Sequence, residues 1–143
     1  GAGFDISGDN HQVRENLSSK NGHGFIFSYT QNGHNIEENI ARNNGIKTGF
    51  GHGFLILGNG YTVISNMAKG NHGNGFIINS NSNADNKKLF SFSANDSIGN
   101  TGQSVFRFAC PKSTKLTNNT LIHLNKNYTK YNISSSNISQ LAT

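Results

Sequence analysis

At 143 residues and a formal net charge of +5, the chain has room for one domain with one continuous core. Its single cysteine, Cys110, excludes a disulfide framework and a cysteine-built metal site, and no apolar run is long enough to cross a bilayer. The 24 Asn and 17 Gly, against one Pro, point to many tight turns between short strands, because these residues tolerate left-handed backbone at least cost.

The chain opens on Gly1-Ala2-Gly3 with no basic-then-apolar leader, as expected of a mature product or of a piece excised from something longer. The first expected strand is Gly3-Phe4-Asp5-Ile6. A nine-residue block follows, Val13-Arg14-Glu15-Asn16-Leu17-Ser18-Ser19-Lys20-Asn21, and then a second strand, Gly24-Phe25-Ile26-Phe27. The block returns from Ile36 to Asn44, ahead of Gly53-Phe54-Leu55-Ile56. It returns again from Val63 to Asn71, ahead of Gly75-Phe76-Ile77-Ile78. Each copy has a β-branched apolar residue first, Asn fourth, a larger apolar residue fifth, Ser or Ala sixth and Asn ninth. A weaker fourth copy runs from Phe92 to Asn100 and precedes a degenerate strand, Ser104-Val105-Phe106-Arg107-Phe108. A fifth starts at Leu116 and reaches Asn119.

Residues 128–143 lose the pattern. They are expected to cap or cover the domain formed by residues 1–127, whose open strand edge would otherwise recruit other chains. The charge also shifts along the chain: residues 1–86 carry five Lys/Arg against six Asp/Glu, and residues 87–143 carry seven against Asp96 alone. Solvated lysine on an exposed end accounts for this, so nucleic acid is not an expected partner.

The Gly-Phe blocks are 21, 29 and 22 residues apart, a length that suits three short strands and three turns per repeat. Alternation along each strand puts Phe4, Ile6, Phe25, Phe27, Phe54, Ile56, Phe76 and Ile78 inside. Stacking at roughly 4.8 Å lays like on like, so Asn16, Asn39 and Asn66 form a ladder at a turn. The expected fold is all-β: a right-handed, single-stranded parallel β-helix of about five coils with Phe/Ile core ladders and an Asn ladder. A leucine-rich repeat would need Leu where these copies hold Phe, Ile and Asn, and a β-sandwich would not keep the register.

The succession Gly-Phe-x-Ile, Val-x-x-Asn, then Asn with Gly resembles the parallel β-helix repeats of the pectate-lyase-like superfamily, over roughly residues 3–125. That group includes polysaccharide lyases and hydrolases, alginate epimerases, periplasmic copper-handling proteins of the NosD type, and bacteriophage tailspikes. The resemblance implies an extracellular or virion-associated protein that faces a polysaccharide, and a homotrimer in the tailspike case. It does not place an active site, because the motif describes coil geometry. The Asp-Pro-His-Glu signature of the epimerases is missing, and the acidic residues are too few for the calcium site of the pectate lyases.

Several residues are candidates for chemistry. Glu15 and Glu38 share a repeat position one coil apart, so stacking is expected to bring them to about 5 Å, the separation of retaining glycosidases. Sharing such a site would split their pKa values into an acid and a base. The plainer alternative is a solvated turn offset by Arg14 and Arg42. Arg107 is the candidate base on an outward strand position. His11, His34 and Tyr61 share one position, and His52 precedes a Gly-Phe block; such rings bind sugars by stacking and hydrogen bonding, or simply fill turns. No carboxylate stands at ligand spacing from them, so neither a metal nor a cofactor is expected.

Ile26, Leu55 and Ile77 alternate outward and would form an apolar stripe, the mark of an interface or of a covering segment. The insertions 46–51 and 80–88 are the expected groove walls. The leading functional expectation is a carbohydrate-facing domain that recognises a surface polysaccharide, and in the enzymatic case degrades it, as in a fragment of a phage tailspike. The alternatives are a structural or trimerising fibre segment without activity, and a small polysaccharide lyase, hydrolase or epimerase.

Overall fold

The structure is a computed structural model. It describes residues 1–28, 33–58, 60–78 and 91–102 in full, and the backbone alone of 29–30, 79, 106–109, 115–117, 119–122 and 130–133. The first repeat supplies β1 (Ala2–Ile6), β2 (Gln12–Arg14) and β3 (Leu17–Ser19). The second supplies β4 (His23–Thr30), β5 (Asn35–Glu37) and β6 (Ile40–Arg42). Next come β7 (Phe54–Gly58), β8 (Thr62–Ile64) and β9 (Met67–Lys69), then β10 (Phe76–Asn79), β11 (Ser91–Ser93) and β12 (Asp96–Ile98). The last repeat gives β13 (Phe106–Ala109), β14 (Lys115–Thr117) and β15 (Asn119–Ile122), and β16 (Lys130–Ile133) follows.

These strands stack into three sheets, ordered β1-β4-β7-β10-β13, β2-β5-β8-β11-β14 and β3-β6-β9-β12-β15-β16. Every neighbour among the first fifteen strands is three elements away and parallel, so each repeat contributes one layer to each sheet. This arrangement is consistent with a parallel β-helix. The weak fifth copy keeps register, with Leu116 beside Phe92 and Thr120 beside Asp96. Within the tail, β16 pairs antiparallel with β15, Asn119 opposite Ile133.

The inward side of the first sheet carries an aromatic stack. Phe4, Phe25, Phe54 and Phe76 have ring centroids 4.8, 4.9 and 4.7 Å apart and planes within 6° of parallel. Isolated rings prefer offset or edge-on contacts. Here the inter-strand spacing sets the separation, and burial of the rings holds it. Val13, Ile36, Val63 and Phe92 line the second sheet's inner face in the same way.

On the third sheet the inward row is small: Ser18, Ala41, Ala68 and Ser97, all buried. The reason lies across the interior, where the glycines that open the first-sheet strands pass close. A Cβ on Gly53 would stand 2.5 Å from the Gly75 carbonyl and 2.9 Å from the Ala68 Cβ. Only Ser or Ala fits there, so the larger apolar residues Leu17, Ile40 and Met67 alternate outward.

Two corners repeat. Between the second and third sheets the chain turns through a left-handed residue, Glu15, Glu38, Ser65 or Ala94, with φ of 56°, 53°, 55° and 52°. After the third sheet the same conformation falls on Lys20, Asn43, Gly70 and Gly99. Left-handed backbone costs a non-glycine residue about 1–2 kcal/mol, and an Asn follows each time to offset it. Asn16, Asn39, Asn66 and Asn95 are linked by backbone and side-chain N–H groups donating to the next layer's Oδ1 at 2.9–3.1 Å. Asn21, Asn44, Asn71 and Asn100 form a second ladder of the same kind.

Candidate functional site

The polar outer face of the second sheet offers the clearest site. Gln12, Asn35, Thr62 and Ser91 form one row in register, and Arg14, Glu37, Ile64 and Ser93 form another. A hollow of about 120 Å³ is lined by Gln12, Arg14, Asn35 and Glu37. Three-residue strands position these side chains, since the middle residue is buried and the two flanking ones must point outward.

The adjoining corner brings together the expected carboxylates. Arg14 Nε lies 3.0 Å from Glu15 Oε1, and Arg14 Nη2 donates to Glu38 Oε2 at 3.3 Å. The hydrogen bond and charge of Glu38, then the charge of Glu15, raise the Arg14 pKa above its ordinary value. All three side chains are exposed. One guanidinium thus pairs with both carboxylates, hydrogen-bonding Glu38 and lying within ion-pair distance of Glu15, so the corner is an ion-paired triad. Arg42, the other residue expected to offset them, takes no part in it.

The row of rings expected to meet sugar lies largely inside. His34, Tyr61 and His52 are buried, and of the four expected contacts only His11 is exposed. The reason is that the rings cap backbone groups of neighbouring layers. His34 Nδ1 accepts from the His11 N–H at 3.1 Å, His23 Nδ1 from the His52 N–H at 3.1 Å, and His52 Nδ1 from the Asn74 N–H at 3.0 Å. Accepting at Nδ1 requires neutral rings with the proton on Nε2. Burial lowers the pKa of His34 and His23 accordingly. Tyr61 is turned inward, where its hydroxyl donates to the Leu57 carbonyl at 2.7 Å, and burial raises its pKa. The histidines therefore do the work that Asn does at the other two corners.

Ile26, Leu55 and Ile77 stand in register on the outer face of the first sheet, half-buried, as alternation requires. Arg107 follows Ile77 in that row, and its side chain lies outside the described residues, as does the insertion 80–88. The insertion 46–51 holds a residue that sequence reasoning passed over: Phe50 is 58% exposed and packs edge-on against His52 at 4.6 Å and His23 at 6.3 Å. Position within an insertion was its only signal.

Among the described residues no three His, Cys, Asp or Glu side chains are grouped to hold a metal ion, and no helix is long and apolar enough to cross a membrane. No family model, no curated protein and no solved structure matches this chain.

Proposed function

We propose that the chain is a right-handed parallel β-helix of the pectate-lyase-like kind whose second-sheet face recognises a polysaccharide. The observation that carries this reading is the hollow lined by Gln12, Asn35, Arg14 and Glu37 on a rigid sheet. Sugar hydroxyls both donate and accept, and two amides, a guanidinium and a carboxylate supply both roles from fixed positions. The row continues through Thr62 and Ser91. A linear glycan lying along the stacking direction would meet a new hydrogen-bonding side chain roughly every 4.8 Å.

Recognition is favoured over cleavage because Arg14 is ion-paired with both Glu15 and Glu38 in the open. A surface polysaccharide as ligand places the protein outside the cell or on a virion, as in a tailspike fragment. The competing reading, a structural or trimerising segment, rests on the apolar row Ile26-Leu55-Ile77.

The test is a panel of acidic and neutral bacterial polysaccharides, followed by retention, new reducing ends and the ultraviolet absorbance of unsaturated sugars. Retention of one polymer, lost on Asn35→Ala with the melting temperature unchanged, supports recognition at this face. Cleavage abolished by Glu38→Gln would establish an enzyme. Retention of none, with a trimer that Leu55→Asp disperses, would replace the carbohydrate reading by the structural one.

A further inference from the structure

The outer face of the third sheet plays no part in that reading, and its side chains fall into bands. One row is apolar for three layers, Leu17, Ile40 and Met67 in register, and ends at Asp96. Leu17 is 51% and Ile40 38% exposed. Two residues along each strand runs a second row, Ser19, Arg42 and Lys69. The corner before the apolar row carries Glu15 and Glu38, two carboxylates on the single guanidinium of Arg14 and so still net acidic, and the corner after the basic row carries Lys20. Crossing the face along the strands therefore passes an acidic edge, an apolar row, a basic row and a basic corner. Among the described residues, no ion pair within the chain engages Lys20, Arg42 or Lys69.

We propose that this face docks on the same face of a second copy, across a two-fold axis parallel to the stacking direction. The charge pattern selects the axis. Two in-plane two-fold axes bring the face onto itself, one along the strands and one along the stack. The first sets acidic edge on acidic edge. The second reverses the strands across the contact and keeps each layer at its own height, so acidic meets basic twice over. Glu15 then stands opposite Lys20 of the second copy, and Glu38 opposite Asn43 of the second copy, where the head of the adjacent Arg42 reaches it. The apolar row lies against the basic row, where the aliphatic stems of Arg42 and Lys69 cover Ile40 and Met67 while their charged heads reach the edges. This contact does not depend on the carbohydrate reading and leaves the hollow at Gln12 and Asn35 open.

The experiment is sedimentation equilibrium over a wide concentration range. The wild-type chain is expected to form a reversible dimer, weakened by salt. Arg42→Glu and Glu38→Arg alone should each weaken it about 100-fold or more. Mixing these two variants should restore a heterodimer, because both of its edges are again complementary. Ile40→Asp should disperse the dimer, whereas Leu55→Asp on the first sheet should leave it intact. If Ile40→Asp fails to fold, Leu17→Asp at the more exposed position makes the same test. A monomer at every concentration, a dimer indifferent to Arg42→Glu, or no heterodimer on mixing would each overturn the proposal.

Discussion

Truncating Asn66 to alanine tests whether the corner ladder is a main source of stability. Asn66 is 1% exposed in the middle of its ladder. Its Oδ1 accepts from the Asn39 backbone N–H and Nδ2, both at 3.0 Å. Its Nδ2 donates to the Ile36 carbonyl at 2.8 Å, to the Ile64 carbonyl at 3.0 Å and to Asn95 Oδ1 at 3.0 Å. Alanine leaves the Asn39 N–H without its acceptor and removes a donor from the Ile36 carbonyl, while Asn39 Nδ2 keeps the Val13 carbonyl. The one orphaned buried N–H, at about 1–3 kcal/mol, and the lost hydrogen bonds to the Ile36 carbonyl and Asn95 Oδ1, at about 0.5–1.5 kcal/mol each, together predict a loss of about 4 kcal/mol. Asn16→Ala supplies the comparison. Asn16 holds the same position at the first layer, after a left-handed residue of matching φ, 56° at Glu15 against 55° at Ser65. The turn cost cancels between the two variants. Asn16 is half-buried, and it donates to Asn39 Oδ1 and to the Arg14 carbonyl without accepting from a described layer. Its truncation should cost about 1 kcal/mol. Guanidinium unfolding followed by circular dichroism, with equal m-values, reads both. Losses equal within about 0.5 kcal/mol would refute the ladder as the origin of corner stability.

Three further outcomes follow from the same geometry. Burial holds the folded-state pKa of His23 and His34 below the ordinary 6.5, so acidification protonates the unfolded chain first. Their contribution is complete above about pH 6.5 and lost as pH falls toward the folded values. The melting temperature should therefore be level above that point and decline below it, and a rise on acidification would contradict the Nδ1-acceptor role. Phe54→Ala removes a fully buried ring stacked between Phe25 and Phe76 and should cost about 3–5 kcal/mol in denaturant unfolding. Gly53→Ala forces a Cβ to within 2.5 Å of the Gly75 carbonyl and should cost about 1–3 kcal/mol, measurable in the same assay.

The stacking register was legible because identical positions recur. The Gly-Phe strands and the Val/Ile–Asn block repeat with like residues aligned, and inter-strand pairing preserves that alignment, Phe4 on Phe25 and Val13 on Ile36. Even the weak copy at Leu116 could be read. Direction at the fifth repeat position could not. Leu17, Ile40 and Met67 look like core residues, and they point outward only because the glycines opposite leave room for nothing larger than Ser or Ala. That constraint crosses the interior and has no sign in local spacing. Spacing left the histidines open between sugar contact and turn filling for a related reason. A ring that can touch sugar can equally accept a backbone N–H, and burial, which decides between the two, is set by the neighbouring layers.

This division narrows where recognition can occur. An Asn-rich repeat suggests a surface rich in amides, yet Asn39, Asn44, Asn66, Asn71, Asn95 and Asn100 are all buried, with their side-chain N–H groups tied to other layers. His34 and His52 are committed in the same manner. Polar residues fixed at the corners cannot also turn to a ligand without orphaning buried backbone. Chemistry is thus left to strand positions that alternate outward, where substitution costs the stack little. On the second sheet these hold hydrogen-bonding groups at every described position but Ile64, and on the third they hold Leu17, Ile40 and Met67 beside Arg42 and Lys69. The same alternation that builds the core therefore gives each outer face an identity of its own, one hydrogen-bonding, where we propose a glycan, and another apolar and basic, where we propose a second copy.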